Sequence, residues 1–222
     1  YSPIQNIKSD IRSELLANRG LKFNYDIATC APTLIYQHSF YVPDATGEVL
    51  ETIEHYIDNK ASVRDRIAKE AELAPHVVKV IINALFAGGH LTTYPGSAVF
   101  KQVDSDVAKM KYLQQHPYLM SLRQEIKTMW STIKSTAPVY YYTDKSGKQR
   151  KRAFNSKAKW NIYFQLERSV LNEIREYLSL PQVNCKYFLE HDGFRTDLAI
   201  DTQDLQEWIC AGTGFKLVIE EK

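Results

Sequence analysis

The residues of this chain best suited to chemistry are two aspartates, Asp26 and Asp192, and a lysine between them, Lys79. Two carboxylates brought together from separate strands can hold a pair of divalent metal ions about 3.5–4 Å apart, the arrangement used for in-line phosphoryl transfer. Mg²⁺ can bind at a site with only two carboxylates, because it keeps waters and takes its other ligands from substrate phosphates. A lysine facing such a site would neutralise triphosphate charge and stabilise the leaving pyrophosphate.

Asp192 lies in a predicted β-hairpin over residues 186–199. An apolar, β-prone run at 187–189 is interrupted by His191-Asp192-Gly193, and a second run continues from Phe194 to residue 200. Asp-Gly between two such runs is a strong hairpin signal. The tip of the hairpin would hold the carboxylate exposed and rigid. The alternative is that Asp-Gly is present only because the turn requires a positive φ.

A strand and a helix are predicted to position the other two residues. Residues 21–25 alternate between apolar and polar types, which predicts a strand that runs into Asp26, followed by a helix with Pro32 near its first turn. Lys79 is the only charged residue in an apolar helix predicted over 76–86. The alternative for this lysine is a buried helix from which the side chain reaches out to water.

The remaining pattern predicts an α+β fold. The spacing of apolar residues predicts further helices at 9–18, at 51–73 with a break near Asn59, at 103–133 with an interruption at Pro117, at 160–178 and at 204–210, and a last strand at 215–219. With the hairpin, the strand before Asp26 and a candidate strand at 139–142, this gives four or five strands. Both aspartates are predicted to lie at strand ends.

Composition limits the class of protein. Of 222 residues, 44% are hydrophobic and 24% are charged, which is ordinary for a globular protein with a sizeable core. No run approaches the roughly 18 apolar residues of a membrane span, and no signal peptide opens the chain, so we expect no membrane partner. Three cysteines without paired spacing argue against a disulfide framework and a zinc site, and they predict a reducing, cytoplasmic location.

A basic segment is predicted to bind nucleic acid. Residues 145–159 contain seven lysines and arginines and no acidic residue, and tyrosines at 140–142 and Trp160 flank them. Cationic side chains bind phosphates, and aromatic rings stack on bases. The alternative is a solvated loop without a partner. The residues predicted to bind are Lys148, Arg150, Lys151, Arg152 and Tyr141.

Three motifs resemble those of phage-type single-subunit RNA polymerases. The sequence Asp-Ile-Ala-Thr-Cys at 26–30, with Gln37-His38 after it, is similar to their first palm motif. Residues 190–196 (EHDGFRT) are similar to the third motif, which usually reads His-Asp-Ser-Phe-Gly-Thr. Between them, residues 79–88 resemble the fingers-helix motif of a lysine, apolar turns, an aromatic residue and a glycine. Family A DNA polymerases share this layout.

The resemblance implies a right-hand polymerase palm, which is a small antiparallel sheet with a catalytic hairpin, joined to helical fingers. It assigns residues 1–50 to the first part of the palm, 51–135 to the fingers, 136–160 to a basic nucleic-acid-binding loop and 161–222 to the second part of the palm. The implied activity is DNA-directed RNA synthesis from nucleoside triphosphates on a nucleic acid template. The implied location is the bacterial host cytoplasm if the chain is phage-encoded.

The resemblance also implies roles for single residues. Asp26 and Asp192 would bind two Mg²⁺ ions, with Mn²⁺ as a substitute. Lys79 would contact the nucleotide phosphates, Phe86 the sugar or the templating base, and His191 the 3′ end of the growing strand.

The chain departs from the family pattern at two positions of the fingers helix. The family usually has an arginine four residues before the lysine, where this chain has Pro75, so Arg64, Arg66 or Lys69 on the preceding helix would substitute for it. The family's tyrosine corresponds to Ala87, one residue after Phe86, which leaves the choice of sugar open.

Other functions stay open at this stage. A family A-like DNA polymerase would use the same aspartates. A non-catalytic nucleic-acid-binding module would use only the basic segment. A structural subunit of a larger machine would contain the site only as a vestige. A Cys-His-Asp hydrolase built from Cys30, His38 or His191, and Asp192 is disfavoured, since neighbouring residues on a strand point to opposite faces. The chain has no room for a full N-terminal domain and thumb, which predicts a companion subunit or further domains.

Overall fold

The computed structural model describes residues 7–41, 50–137, 139 and 141–222, and it confirms the α+β class. Within these ranges the helices are α1 (Ser9–Asn18), α2 (Cys30–Phe40), α3 (Glu51–Asp58), α4 (Lys60–Glu70), α5 (Pro75–Phe86), α6 (Ala98–Gln102), α7 (Val107–Gln115), α8 (Pro117–Thr136), α9 (Ser156–Leu178) and α10 (Thr202–Thr213). The strands are β1 (Phe23–Ile27), β2 (Tyr141–Thr143), β3 (Gln149–Lys151), β4 (Tyr187–Leu189), β5 (Gly193–Thr196) and β6 (Ile219–Glu221).

The chain divides into two compact units. The first, here called the sheet unit, consists of Tyr1–Cys30 and Phe164–Lys222. The second, here called the helical unit, consists of Ala31–Tyr163 and includes the β2–β3 hairpin. No helix in the described ranges combines the length and the apolar character needed to cross a bilayer.

The sheet unit is built on a four-stranded antiparallel sheet in the order β4-β5-β1-β6. Alternation along β1 places Tyr25 and Ile27 in the core, while Asp26 between them is only partly covered. The ring of Tyr25 stacks on Phe194 of β5 with centroids 4.9 Å apart, and its hydroxyl accepts a hydrogen bond from the Ile200 N–H. This packing fixes the two central strands against each other.

The helical unit follows the predicted apolar spacing closely. The break near Asn59 is confirmed, because α3 ends at Asp58 and α4 begins at Lys60. Pro75 and Pro117 each occupy the first turn of a helix, where a proline costs no hydrogen bond. The carboxylate of Glu125 on α8 accepts hydrogen bonds from the Thr52 and Ile53 N–H groups and so caps the start of α3.

Two strand predictions need correction. The last strand was expected at 215–219, but β6 begins only at Ile219, because its extent is set by pairing with Tyr25–Ile27 of β1. The second strand of the predicted hairpin was expected to reach residue 200, but β5 ends at Thr196. There the Thr196 hydroxyl donates to the Leu198 carbonyl and the chain turns away from the sheet.

Candidate active site

The pairing of β1 with β5 brings the two predicted aspartates together. Asp26 lies directly opposite Gly193 in the ladder, and the next N–H along β1, that of Ile27, donates to the Asp192 carbonyl oxygen at 2.7 Å. Asp192 directly precedes the first residue of β5, so the backbones of Asp26 and Asp192 lie one register step apart at the end of the β1–β5 ladder. The structure therefore brings the backbones of the two aspartates close together.

The turn that carries Asp192 differs from the predicted one. The Glu190 N–H donates to the Gly193 carbonyl at 2.8 Å, so the two residues at the tip are His191 and Asp192, and Gly193 is already the first residue of β5. None of His191, Asp192 and Gly193 has a positive φ. The interpretation of Asp-Gly as a dipeptide selected for positive φ is therefore wrong. Both tip side chains are exposed.

Gly193 is needed for the close approach of two strands. A Cβ atom at this position would lie 2.3 Å from the Tyr25 carbonyl oxygen and 3.2 Å from the Asp26 Cα. Real Cβ atoms do not approach a backbone oxygen so closely, so any larger residue would push β5 away from β1. The glycine thus sets the spacing between the strands that carry Asp26 and Asp192.

The Asp26 carboxylate already has a cationic neighbour. Its side chain is 26% exposed, and its Oδ2 atom lies 2.7 Å from the Nζ atom of Lys222. Across β6, Asp26 lies opposite Glu220. This part of the sheet therefore carries two acidic residues, Asp26 and Glu220, and the Lys222 ammonium already pairs with Asp26.

A cluster of charged residues ties the site hairpin, defined as Tyr187–Thr196, to α1. The carboxylate of Glu190, which directly precedes the tip, lies 3.3 Å from Nε of Arg12 and 3.3 Å from Nε of Arg195. Arg195 is only 8% exposed and donates a second hydrogen bond to the Ser13 hydroxyl at 2.7 Å. Sequence reasoning missed this cluster, because no local pattern links residues 182 positions apart.

The other predicted residues of the active site lie in the helical unit. Lys79 is exposed on α5, a helix of which five residues between Val78 and Phe86 are buried. Arg66 and Lys69 are also exposed, and the Arg66 guanidinium lies 5.1 Å from the centre of the Tyr118 ring.

Phe86 does not have the surroundings of a substrate-binding residue. Its side chain is 1% exposed and stacks on Tyr56, with ring centroids 6.1 Å apart. Its carbonyl oxygen accepts a hydrogen bond from the Trp130 indole at 2.7 Å. The ring is covered in this structure, and the contact of Phe86 with a sugar or a templating base stays a prediction.

The basic segment forms a hairpin of its own. Among the described residues, strands β2 and β3 pair only with each other, and all six of their residues are exposed. At the turn, the Asp144 carboxylate accepts hydrogen bonds from the Ser146 hydroxyl, from Nε of Arg150 at 2.9 Å and from the Lys148 N–H, which together lower the pKa of Asp144 to about 2. We call residues Tyr141–Arg152 the basic hairpin. Tyr140, part of the predicted strand, lies outside the described residues.

The carboxylates fit a metal that needs few protein ligands. Within the described ranges no group of three or more His, Cys, Asp and Glu side chains is arranged to hold a metal ion. A pair of carboxylates at a partly open sheet edge is the donor set that Mg²⁺ accepts, because water and substrate phosphates complete its coordination. Asp26 and Asp192 are the residues that would hold such an ion.

Comparison with known proteins adds no family assignment. No model of a known protein family matches the chain, and no curated protein shows significant sequence similarity to it.

Proposed function

We propose that this chain is the catalytic part of a template-directed nucleotidyltransferase that joins nucleoside triphosphates into RNA on a DNA template. The observation that carries the proposal is the β1–β5 pairing, which leaves the backbones of Asp26 and Asp192 one register step apart where the two central strands of the sheet meet the hairpin turn. The interpretation of this sheet as a polymerase palm, and of the helical unit as fingers, is part of the same proposal. So is a location in the cytoplasm, where templates and triphosphates are found.

The proposal gives Asp26, Asp192 and His191 one role each. Asp26 and Asp192 would hold two Mg²⁺ ions, or Mn²⁺ in their place, which neutralise and orient the triphosphate when bound. A metal at Asp26 would displace the Lys222 ammonium, which is 54% exposed and free to move into solvent. His191, exposed beside Asp192, would contact the 3′ end of a growing strand.

The cations of the helical unit would bind triphosphate charge. Lys79, Arg66 and Lys69 are all exposed, so each is accessible to a polyanion. The resemblance of residues 79–88 to a fingers helix supports Lys79 as the residue that contacts the phosphates. Phe86 is left out of the proposed site because it is buried.

A second candidate is a nucleic-acid-binding subunit without catalytic activity. The observation that favours it is the basic hairpin, whose exposed cations and tyrosines need no catalytic centre. In that case the aspartates would serve only the fold. The two candidates are separated by the effect of Asp192 on product formation.

The test is extension of a labelled primer on a single-stranded DNA template by the full chain with Mg²⁺, with ribonucleotides and deoxyribonucleotides in separate reactions. Asp192→Asn should lower extension about a thousandfold, because the loss of a metal ligand removes several kcal/mol of transition-state stabilisation. Asp204→Asn, at an exposed aspartate on α10, is the matched control and should extend as the parent does. Chelation should stop the reaction, and Mg²⁺ or Mn²⁺ should restore it.

Incorporation of ribonucleotides would indicate an RNA polymerase, and incorporation of deoxyribonucleotides would indicate a family A-like DNA polymerase. Extension that is equal in Asp192→Asn and in the parent chain would contradict the proposal. Absence of extension in both, with the expected companion subunit added, would favour the binding subunit.

A further inference from the structure

The basic hairpin has two faces of different chemistry. Cross-strand partners share a face in an antiparallel ladder, and Tyr142 lies opposite Arg150, whereas Tyr141 lies opposite Lys151. Alternation along β3 adds the neighbouring cations Lys148 and Arg152 to the Tyr142 side. The position of the Arg152 guanidinium, 6.0 Å from the centre of the Tyr142 ring, agrees with this arrangement.

The face that contains Tyr142 is the more strongly charged one. It presents three cations in a row, Lys148, Arg150 and Arg152, against a single carboxylate, Asp144, which is occupied by Arg150 and the turn. Alternate residues of a strand are about 7 Å apart, a spacing comparable to that of successive phosphates on an extended single strand. The opposite face has only Lys151 beside Tyr141, together with the uncharged Thr143 and Gln149.

Packing does not explain the aromatic residue on this face. The Tyr142 side chain is 45% exposed, and no residue of β2 or β3 is buried. A two-stranded hairpin without a buried face gains little stability from a tyrosine. An exposed ring flanked by cations is, however, the combination that stacks on a base while binding its phosphates.

We infer that the Tyr142 face of the basic hairpin binds single-stranded nucleic acid, with a base stacked on Tyr142 and phosphates held by Arg152, Arg150 and Lys148. A duplex keeps its base faces inside the stack, so the exposed ring would gain nothing from it, whereas a single strand offers both a base and its phosphates. The ligand class is therefore an unpaired stretch of DNA or RNA. This inference does not require the sheet unit to be catalytic.

The experiment compares two double variants that remove the same chemistry from opposite faces. Tyr142→Ala with Arg152→Ala, and Tyr141→Ala with Lys151→Ala, each delete one exposed tyrosine and one cation from the same hairpin. Binding of the full chain to a fluorescent twelve-residue thymidine oligonucleotide, to its RNA equivalent and to a duplex is measured by anisotropy. The first double variant should bind single strands at least fivefold more weakly. The binding residues predicted from the sequence included Tyr141 and Lys151, but these two lie on the opposite face, so the second double variant should stay within twofold of the parent.

Two further measurements define the mode of binding. Tyr142→Phe keeps the stacking ring and should restore affinity to within twofold of the parent. With two or three phosphates neutralised, the logarithm of the binding constant for the single strand should fall with the logarithm of salt concentration at a slope of about −1.4 to −2.1. The difference between the thymidine and RNA oligonucleotides identifies which type of single strand is preferred.

Equal losses in the two double variants, or a duplex bound as tightly as the single strand, would overturn the inference. Binding by Asp192→Asn separates it from the proposed function. If that variant binds as the parent does but no longer extends a primer, both stand. If the two double variants bind alike while Asp192 controls extension, the face assignment fails and the polymerase proposal stands.

Discussion

The site hairpin and the basic hairpin use the same local design for opposite purposes. Each has a tight turn with an aspartate at or beside its tip, Asp192 in one and Asp144 in the other. The β5 strand of the site hairpin is buried along its whole length between β4 and β1. Both strands of the basic hairpin are exposed and pair only with each other.

The difference shows in what the two aspartates do. The oxygens of Asp144 accept hydrogen bonds from its own turn and from Arg150, so they are committed to holding the hairpin together. Within the described part of the chain, the side chain of Asp192 makes no hydrogen bond or ion pair, while its backbone is held by β1. A buried strand that fixes the backbone and leaves a carboxylate open is suited to binding a metal ion. An exposed hairpin rich in cations is suited to binding a polyanion.

The largest difference between the two hairpins should appear in the free energy of unfolding when one glycine of each is replaced by alanine. Gly193→Ala places a methyl group 2.3 Å from the Tyr25 carbonyl oxygen, so β1 and β5 must separate, and we expect the free energy of unfolding to fall by about 3 kcal/mol. Gly147→Ala has open space around it but a φ of +79°, so we expect a loss of about 1 kcal/mol or less. Urea unfolding followed by circular dichroism measures both.

Equal stabilities for the two alanine variants would show that the strands carrying Asp26 and Asp192 are not held as closely in solution. The proposed site would then lose its geometric basis. A large loss for Gly147→Ala alone would show that the basic hairpin contributes to the core of the fold, contrary to its exposure.

A smaller effect is expected from the charged cluster behind the site hairpin. Glu190→Gln keeps the shape of the side chain but removes the negative charge between Arg12 and Arg195, of which Arg195 is nearly buried. We expect a loss of about 1.5–3 kcal/mol, the range for a hydrogen bond to a charged group. Glu207→Gln, at an exposed position on α10, is the matched control and should change the unfolding free energy by less than about 0.5 kcal/mol.

If the cluster positions Asp192, Glu190→Gln should also weaken Mn²⁺ binding, measured by the loss of free Mn²⁺ signal in electron paramagnetic resonance. Glu207→Gln should leave Mn²⁺ binding unchanged. A destabilised Glu190→Gln variant with unchanged metal affinity would assign the cluster to stability alone.

The local parts of this fold follow from the sequence, and its long-range parts do not. Apolar spacing and proline positions predict α1, the break before α4, and the start of α8, because these depend on residues within a few turns of one another. The start of β6 depends on pairing with β1, nearly two hundred residues earlier, and the predicted strand was misplaced by about four residues. The sequence around residue 219 does not indicate that β1 is the strand with which β6 pairs.

The candidate site was predictable in its residues but not in its geometry. The carboxylates Asp26 and Asp192 stand out because strand-like runs adjoin both. Gly193 is needed because its strand approaches Tyr25 closely, not because its φ is positive. This requirement depends on a contact between strands, which the local sequence does not show. The surroundings of Phe86 were unpredictable for a similar reason, since an aromatic residue near a helix end looks the same in sequence whether it faces a substrate or, as here, Tyr56.

The smallest expected effect is a change in the pKa of Asp144 when a hydrogen bond within its own turn is removed. The Ser146 hydroxyl contributes most to lowering the pKa of Asp144 to about 2, and Arg150 contributes next. Because the folded pKa lies below the ordinary value of 3.8, the stabilisation by this carboxylate is fully present above pH 3.8 and is lost as the pH falls through about 2. Carbon-detected NMR titration should therefore give a midpoint near 2 in the parent, with increases toward 3.8 that are larger in Ser146→Ala than in Arg150→Ala. A midpoint near 3.8 in the parent would mean that the turn does not hold the Asp144 carboxylate, and the distinction between the two hairpins would then rest on burial alone.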